Sequence, residues 1–119
     1  MTDDATTRRS LLERLVAFRD ERDWEQFHTP KNLAAALVVE ASELLSLFQW
    51  TPDSELPARC IEKRDEIEHE IADTYIYLLF LAHTLGIDLD RAVENKMTLN
   101  AQHYPAEKAK GNARKYTEL

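Results

Sequence analysis

Four carboxylates stand where apolar side chains belong. Glu40 and Glu43 lie three residues apart in LAAALVVEASELLSLF, from Leu33 to Phe48, and Glu70 and Asp73 repeat that spacing in EIADTYIYLLFL. Residues three apart on a helix are neighbours on one surface. With an advance of ~100° per residue, Leu33, Leu37, Leu44 and Leu47 fall within about 60° of Glu40, and Glu43 lies one turn on, beside Ala36. Ile67, Tyr77 and Leu81 share the face of Glu70 and Asp73 by the same construction. A buried carboxylate without a partner costs on the order of several kcal/mol, and four converging acids repel one another as well. Basic residues in these stretches are few: Lys31 at one start, Lys63 and Arg64 early in the other. A divalent cation is the simplest countercharge. All-oxygen ligands favour a hard ion, Mg²⁺ with Mn²⁺ as a substitute. The alternatives are solvated faces or pairing with an arginine elsewhere in the fold.

A di-iron carboxylate bundle would need two glutamates and two ExxH motifs on four helices. The nominal ExxH matches are Glu25 to His28, just before Pro30, and Glu66 to His69, to one side of the Glu70 face. Neither suits that geometry.

The elements that must carry the acids follow from punctuation at Pro30, Thr51 to Pro57, Gly86 and Pro105. A first helix is predicted from about Thr6 to Asp23, with Leu11, Leu12, Leu15, Val16 and Phe18 as its apolar face. A second starts at Pro30, with Thr29 as N-cap, and runs to about Gln49. A third runs from near Pro57 to Leu85 and stops at Gly86. A fourth starts after Asp88 and ends near His103, before Pro105. The third is apolar nearly all round from Ile71 to Leu81. A helix of that kind is buried on several sides, more than a short chain can supply alone, so a homo-oligomer with this helix near its interface is expected.

Composition narrows the rest. The 119 residues, 44% hydrophobic, are enough for one domain with a modest core. Only two glycines, Gly86 and Gly111, are present, so no GxGxxG or GxxxxGK[ST] loop can be drawn. Phosphates would have to be held by metal and side chains. The single Cys60 makes neither an internal disulfide nor a cysteine zinc site. Residues 1–10 are polar and no apolar run reaches spanning length, which predicts a cytoplasmic protein without a membrane partner. A net charge of −7 argues against binding a nucleic-acid polymer. The basic stretch with Lys108, Lys110, Arg114 and Lys115 leaves room for a small anionic ligand.

ERDWEQFHTPKNLAAALVVEASELLSLFQW, Glu21 to Trp50, resembles the MazG-like all-α nucleotide pyrophosphohydrolases, and more narrowly their dCTP pyrophosphatase branch. Glu40-x-x-Glu43 and Glu70-x-x-Asp73 match the metal motif of that family; IADTYIYL, NKMTLNAQHYP and the ending RKYTEL agree further. The resemblance covers roughly Leu11 to Leu119. It implies a four- to five-helix all-α bundle, a homodimer or homotetramer, and a single domain over 1–119 with flexible ends at 1–8 and 106–119. It also implies Mg²⁺-dependent cleavage of a nucleoside triphosphate to monophosphate and pyrophosphate, preferentially of dCTP or 5-modified dCTP. Glu40, Glu43, Glu70 and Asp73 would hold the ion and serve catalysis, with the general base open between Glu40 and Glu43. Trp24, His28 and Trp50 would meet the base, Tyr77 the deoxyribose, and Lys96 and Asn100 the phosphates. Bland readings stand beside these: Trp24, Trp50 and Tyr77 as core, His28 as a cap, Lys96 and Asn100 as a solvated face. Leu15 stands where some close relatives carry His, which leaves the preferred base open. A broad house-cleaning hydrolase for noncanonical triphosphates and a nucleotide-binding module without turnover are the rival readings.

Overall fold

The computed structural model describes residues 4–119. The expected flexible end at 1–8 lies partly outside the described residues. Six α-helices are found among the described residues and no strand, as the apolar periodicity requires. Two compact units divide the chain at Gly86.

The first unit holds α1 (Asp4–Glu21), α2 (Pro30–Ser46), α3 (Leu56–Glu62) and α4 (Arg64–Thr84). The long α2 and α4 pack on each other, and α1 lies more lightly on α4. Leu33 of α2 with Leu79, Phe80 and Ala82 of α4 are the buried apolar residues. Thr29 caps α2, its Oγ1 accepting the Asn32 N–H at 3.1 Å, and Pro30 occupies the first turn, where no N–H is needed. α2 ends at Ser46, short of Gln49, because its chain tightens into three-residue turns: Leu47 N–H reaches the Leu44 carbonyl and Phe48 N–H that of Leu45.

The single helix predicted between Pro57 and Leu85 is two. Lys63 separates α3 from α4 at φ −103°, ψ 20°. Hydrogen bonding continues across it, from Lys63 N–H to Arg59 C=O and from Ile67 N–H to Lys63 C=O, both at 2.9 Å, so the chain bends rather than stops. Arg59 Nε donates to the Leu47 carbonyl at 2.9 Å and so ties α3 to the end of α2. That tertiary tie gives α3 its own direction, and no Pro or Gly marks the bend. α4 ends at Thr84, with Leu85 as its cap and Gly86, at φ +66°, as the left-handed stop that follows.

Within one chain α4 is not covered all round. Ile71, Tyr75 and Leu78 share one of its faces, and Ile71 keeps 52% of its surface exposed. Val38 and Leu45 form a similar exposed stripe on α2.

The second unit holds α5 (Leu89–His103), α6 (Ala106–Ala109) and a 3-10 turn at Tyr116–Glu118. Asp88 caps α5 by accepting the Arg91 N–H at 3.1 Å. Tyr116 stacks on His103 at 4.1 Å between ring centres and meets Tyr104 edge-on, which anchors the tail to the end of α5.

Candidate metal centre

The packing of α2 on α4 turns two local spacings into one cluster. One carboxylate oxygen each from Glu40, Glu43 and Glu70 lie within 4.8 Å of one another. Glu40 and Glu70 are half-buried and Glu43 is exposed. Glu40 Oε2 and Glu70 Oε2 are buried with no hydrogen-bond partner. Desolvation, then the charges of Glu43 and Asp73, push Glu40 from its ordinary 4.5 up to about 7. Glu70 is raised too, by desolvation first and then by Glu43. Without a countercharge these groups favour protons. Orphaned oxygens and like charges at this range fit a hard divalent cation, which would take Glu40, Glu43 and Glu70 as ligands.

Asp73 stands outside the three-acid cluster but within its field, since its charge helps raise both Glu40 and Glu70. It also lines an adjoining cavity of about 500 Å³, whose walls include Leu15, Phe18, Trp24, His28, Tyr77 and Phe80. A second cavity of about 250 Å³ shares Trp24, His28 and Tyr77 and reaches Ala36, one turn before Glu40. Tyr77, one turn after Asp73, therefore links the acids to both cavities.

Trp24 owes its position to the end of α1. Trp24 N–H bonds the Arg19 carbonyl at 3.1 Å and Asp23 N–H the Asp20 carbonyl at 3.0 Å, with Asp23 left-handed at φ +55°. These are the paired bonds of a Schellman stop, with Asp where Gly is usual. The apolar contact that accompanies the motif is Trp24 edge-on to Phe18 at 6.0 Å. Asn32 Nδ2 donates to the Phe27 carbonyl at 3.0 Å and ties the turn to α2.

His28 does not cap α2, a task Thr29 performs. It is half-buried and edge-on to Phe80 at 4.6 Å. Its Nδ1 is buried without a partner. Desolvation, then the charge of Arg19, lowers its pKa, against smaller opposing effects of Asp20 and Glu25. It is neutral near pH 7 and can hydrogen-bond without carrying charge.

Of the remaining candidates, Trp50 is 86% exposed and lines neither cavity. Lys96 and Asn100 are exposed and one turn apart on α5, in the second unit. Phe80, Arg14 and Arg19 also line the larger cavity and escaped the sequence reading. Arg19 had left a signal: it lies four residues after Leu15 and seven after Leu12, a charge set in an apolar stripe.

By class, fold and site define an all-α protein with a helix-borne carboxylate centre for a hard cation, beside an aromatic cavity. The MazG-like family model matches residues 35–119, and the chain belongs to that family. It is similar to dCTP pyrophosphatase 1 of Homo sapiens, 47% identical over 104 residues, and to that of Rattus norvegicus, 46% identical over 104 residues. Each alignment covers 86% of this chain and 61% of the relative, so the chain spans about three fifths of those proteins. A solved pyrophosphatase from Archaeoglobus fulgidus matches with a TM-score of 0.81 and 42% identity, over 88% of this chain and 96% of that one.

Proposed function

We propose that this chain hydrolyses a nucleoside triphosphate to the monophosphate and pyrophosphate, with dCTP or a 5-modified dCTP preferred and Mg²⁺ required. The observation that carries the reading is the acid cluster adjoining an aromatic cavity, with Asp73 and Tyr77 one turn apart between them. The names of its relatives support the same chemistry. When bound, the ion supplies positive charge against the triphosphate and lowers the pKa of the attacking water.

The chain's own residues do the rest. Glu40, Glu43, Glu70 and Asp73 would hold the ion, the first three already converging on one point. A carboxylate of this centre not taken up by the ion, Glu40 or Glu43, would accept the proton of the attacking water. Trp24 offers an aromatic surface to a base and His28 a neutral hydrogen-bonding edge. Tyr77 presses on the sugar and disfavours a 2′-hydroxyl. Lys96 and Asn100 are assigned to phosphate, and Trp50 to the base, on the family resemblance alone.

The exposed apolar faces of α2 and α4 support a homodimer or homotetramer. The two units are read as parts of one functional domain acting in the cytoplasm. A cavity of about 500 Å³ also admits bases larger than cytosine, which keeps a broader pool-cleaning role in view. The test is a panel of the four dNTPs, 5-methyl-dCTP and the ribonucleotides, with Mg²⁺ or EDTA, detecting pyrophosphate and orthophosphate separately. Pyrophosphate from dCTP that EDTA abolishes is the expected result. Orthophosphate alone, or no product from any substrate, would sink the reading.

A further inference from the structure

The wall of the larger cavity carries a buried guanidinium. Arg19 is only 6% exposed, although nothing fully buries its acidic partners. Its Nε donates to Asp20 Oδ1 at 2.9 Å, and Nη2 approaches the same oxygen at 2.9 Å. Glu25 Oε2 lies 3.9 Å from Nη2, beyond hydrogen-bond range. Nη1 has no hydrogen bond or ion pair among the described residues. One side of the guanidinium is therefore clamped by Asp20, with Glu25 in ion-pair range of Nη2, while Nη1 and the second N–H of Nη2 carry no hydrogen bond among the described residues. The Schellman bonds that hold the turn use the main-chain carbonyls of Arg19 and Asp20, so the Arg19 side chain lines the cavity without being needed for those bonds.

We propose that Arg19 reads the base, its Nη1 and Nη2 donating to two adjacent acceptors on one edge of it, the N3 and O2 of a cytosine. The inference rests on the hydrolase reading above and supplies its specificity determinant. A guanidinium has donors only, in a rigid planar fork. Cytosine matches the fork with two acceptors side by side. Uracil and thymine place an N3–H against it, a donor facing a donor, and leave a buried N–H unpaired. The clamp by Asp20 fixes the fork in advance, so little side-chain freedom is lost on binding.

The test compares kcat/KM for dCTP and dUTP with the full chain and Mg²⁺. The wild type is expected to favour dCTP. Arg19→Met should shrink the dCTP:dUTP ratio by roughly 5- to 150-fold, the span of one bidentate base contact. Arg19→Lys keeps the charge without the fork and should shrink it too. Both substrates are measured on one preparation, so a reduced folded fraction cancels from the ratio. An unchanged ratio in Arg19→Met overturns the proposal, and a ratio preserved in Arg19→Lys overturns the fork. If neither variant folds, the wild type decides. The triphosphate of the 2-pyrimidinone deoxynucleoside keeps N3 and O2 but lacks the 4-amino group. Turnover close to that of dCTP supports the proposal, and turnover as poor as that of dUTP overturns it. Absence of pyrophosphate from every substrate is a separate result, the failure of the hydrolase reading itself.

Discussion

The acid centre and the aromatic cavity adjoin in the first unit, yet they are built in opposite ways. The centre comes from two long helices, each carrying its acids at a fixed three-residue spacing, and needs only one packing contact to form. The cavity draws on α1, the turn that follows it and α4, its smaller neighbour also on α2, and its position depends on a left-handed Asp23 and on ties such as Asn32 to Phe27. The centre is electrostatically strained without a cation. On the cavity wall Arg19 is paired to Asp20 and His28 is held neutral. A regular scaffold suits charge that must converge, and a turn suits groups that must be aimed.

If the two regions have separate tasks, substitutions should separate them. Glu43→Ala should lower kcat by about 10²- to 10⁴-fold without reordering the bases, measured by steady-state kinetics on the substrate panel. The fold should be as stable or more stable in metal-free buffer, because repulsion is relieved. Retained activity would remove Glu43 from the centre. Trp24→Ala should act the other way, raising KM by roughly 5- to 150-fold, the range for lost base stacking, with a smaller change in kcat. A fall confined to kcat would break the division of labour. Tyr77→Ala should narrow the preference for deoxy- over ribonucleotides by about tenfold, a difference near 1.4 kcal/mol. An unchanged preference would return Tyr77 to the core.

Stability tests the centre without turnover. Glu40 sits at about 7 in the fold against an ordinary 4.5, so the native state binds more protons than the unfolded chain between those values. Its contribution is full below 4.5 and is lost as pH rises through about 7. The melting temperature of metal-free protein should therefore fall between pH 5 and pH 8. Glu40→Gln should flatten that fall, and saturating Mg²⁺ should offset it. Equal slopes in wild type and variant would mean the three acids do not converge in solution. The smallest effect lies at the stop of α4: Gly86→Ala should cost about 1 kcal/mol by chemical denaturation, because a φ of +66° strains any side chain although the space around it is open.

Much of the fold was legible beforehand. Thr29 and Pro30 mark the start of α2, Asp88 that of α5, and Gly86 the end of α4, because a cap acts through bonds within a few residues of itself. The acid pairs were legible for a related reason, since a charge in an apolar stripe contradicts the period that surrounds it. The bend at Lys63 was not, because what redirects α3 is Arg59 bonding a carbonyl twelve residues back. Arg19 was half-legible: its place in the stripe is written in the sequence, but its partners and its free edge are not.

The sequence by itself determined the helices, their caps and the two faces on which acids replace leucines, all properties of neighbours along the chain. Only the tertiary structure decided that Glu40, Glu43 and Glu70 meet while Asp73 turns to the cavity, and that Trp24, His28 and Tyr77 share walls there while Trp50 does not. Those outcomes depend on the packing of α2 against α4 and on the direction of one turn, and distances between separate elements have no period that a single chain can spell out.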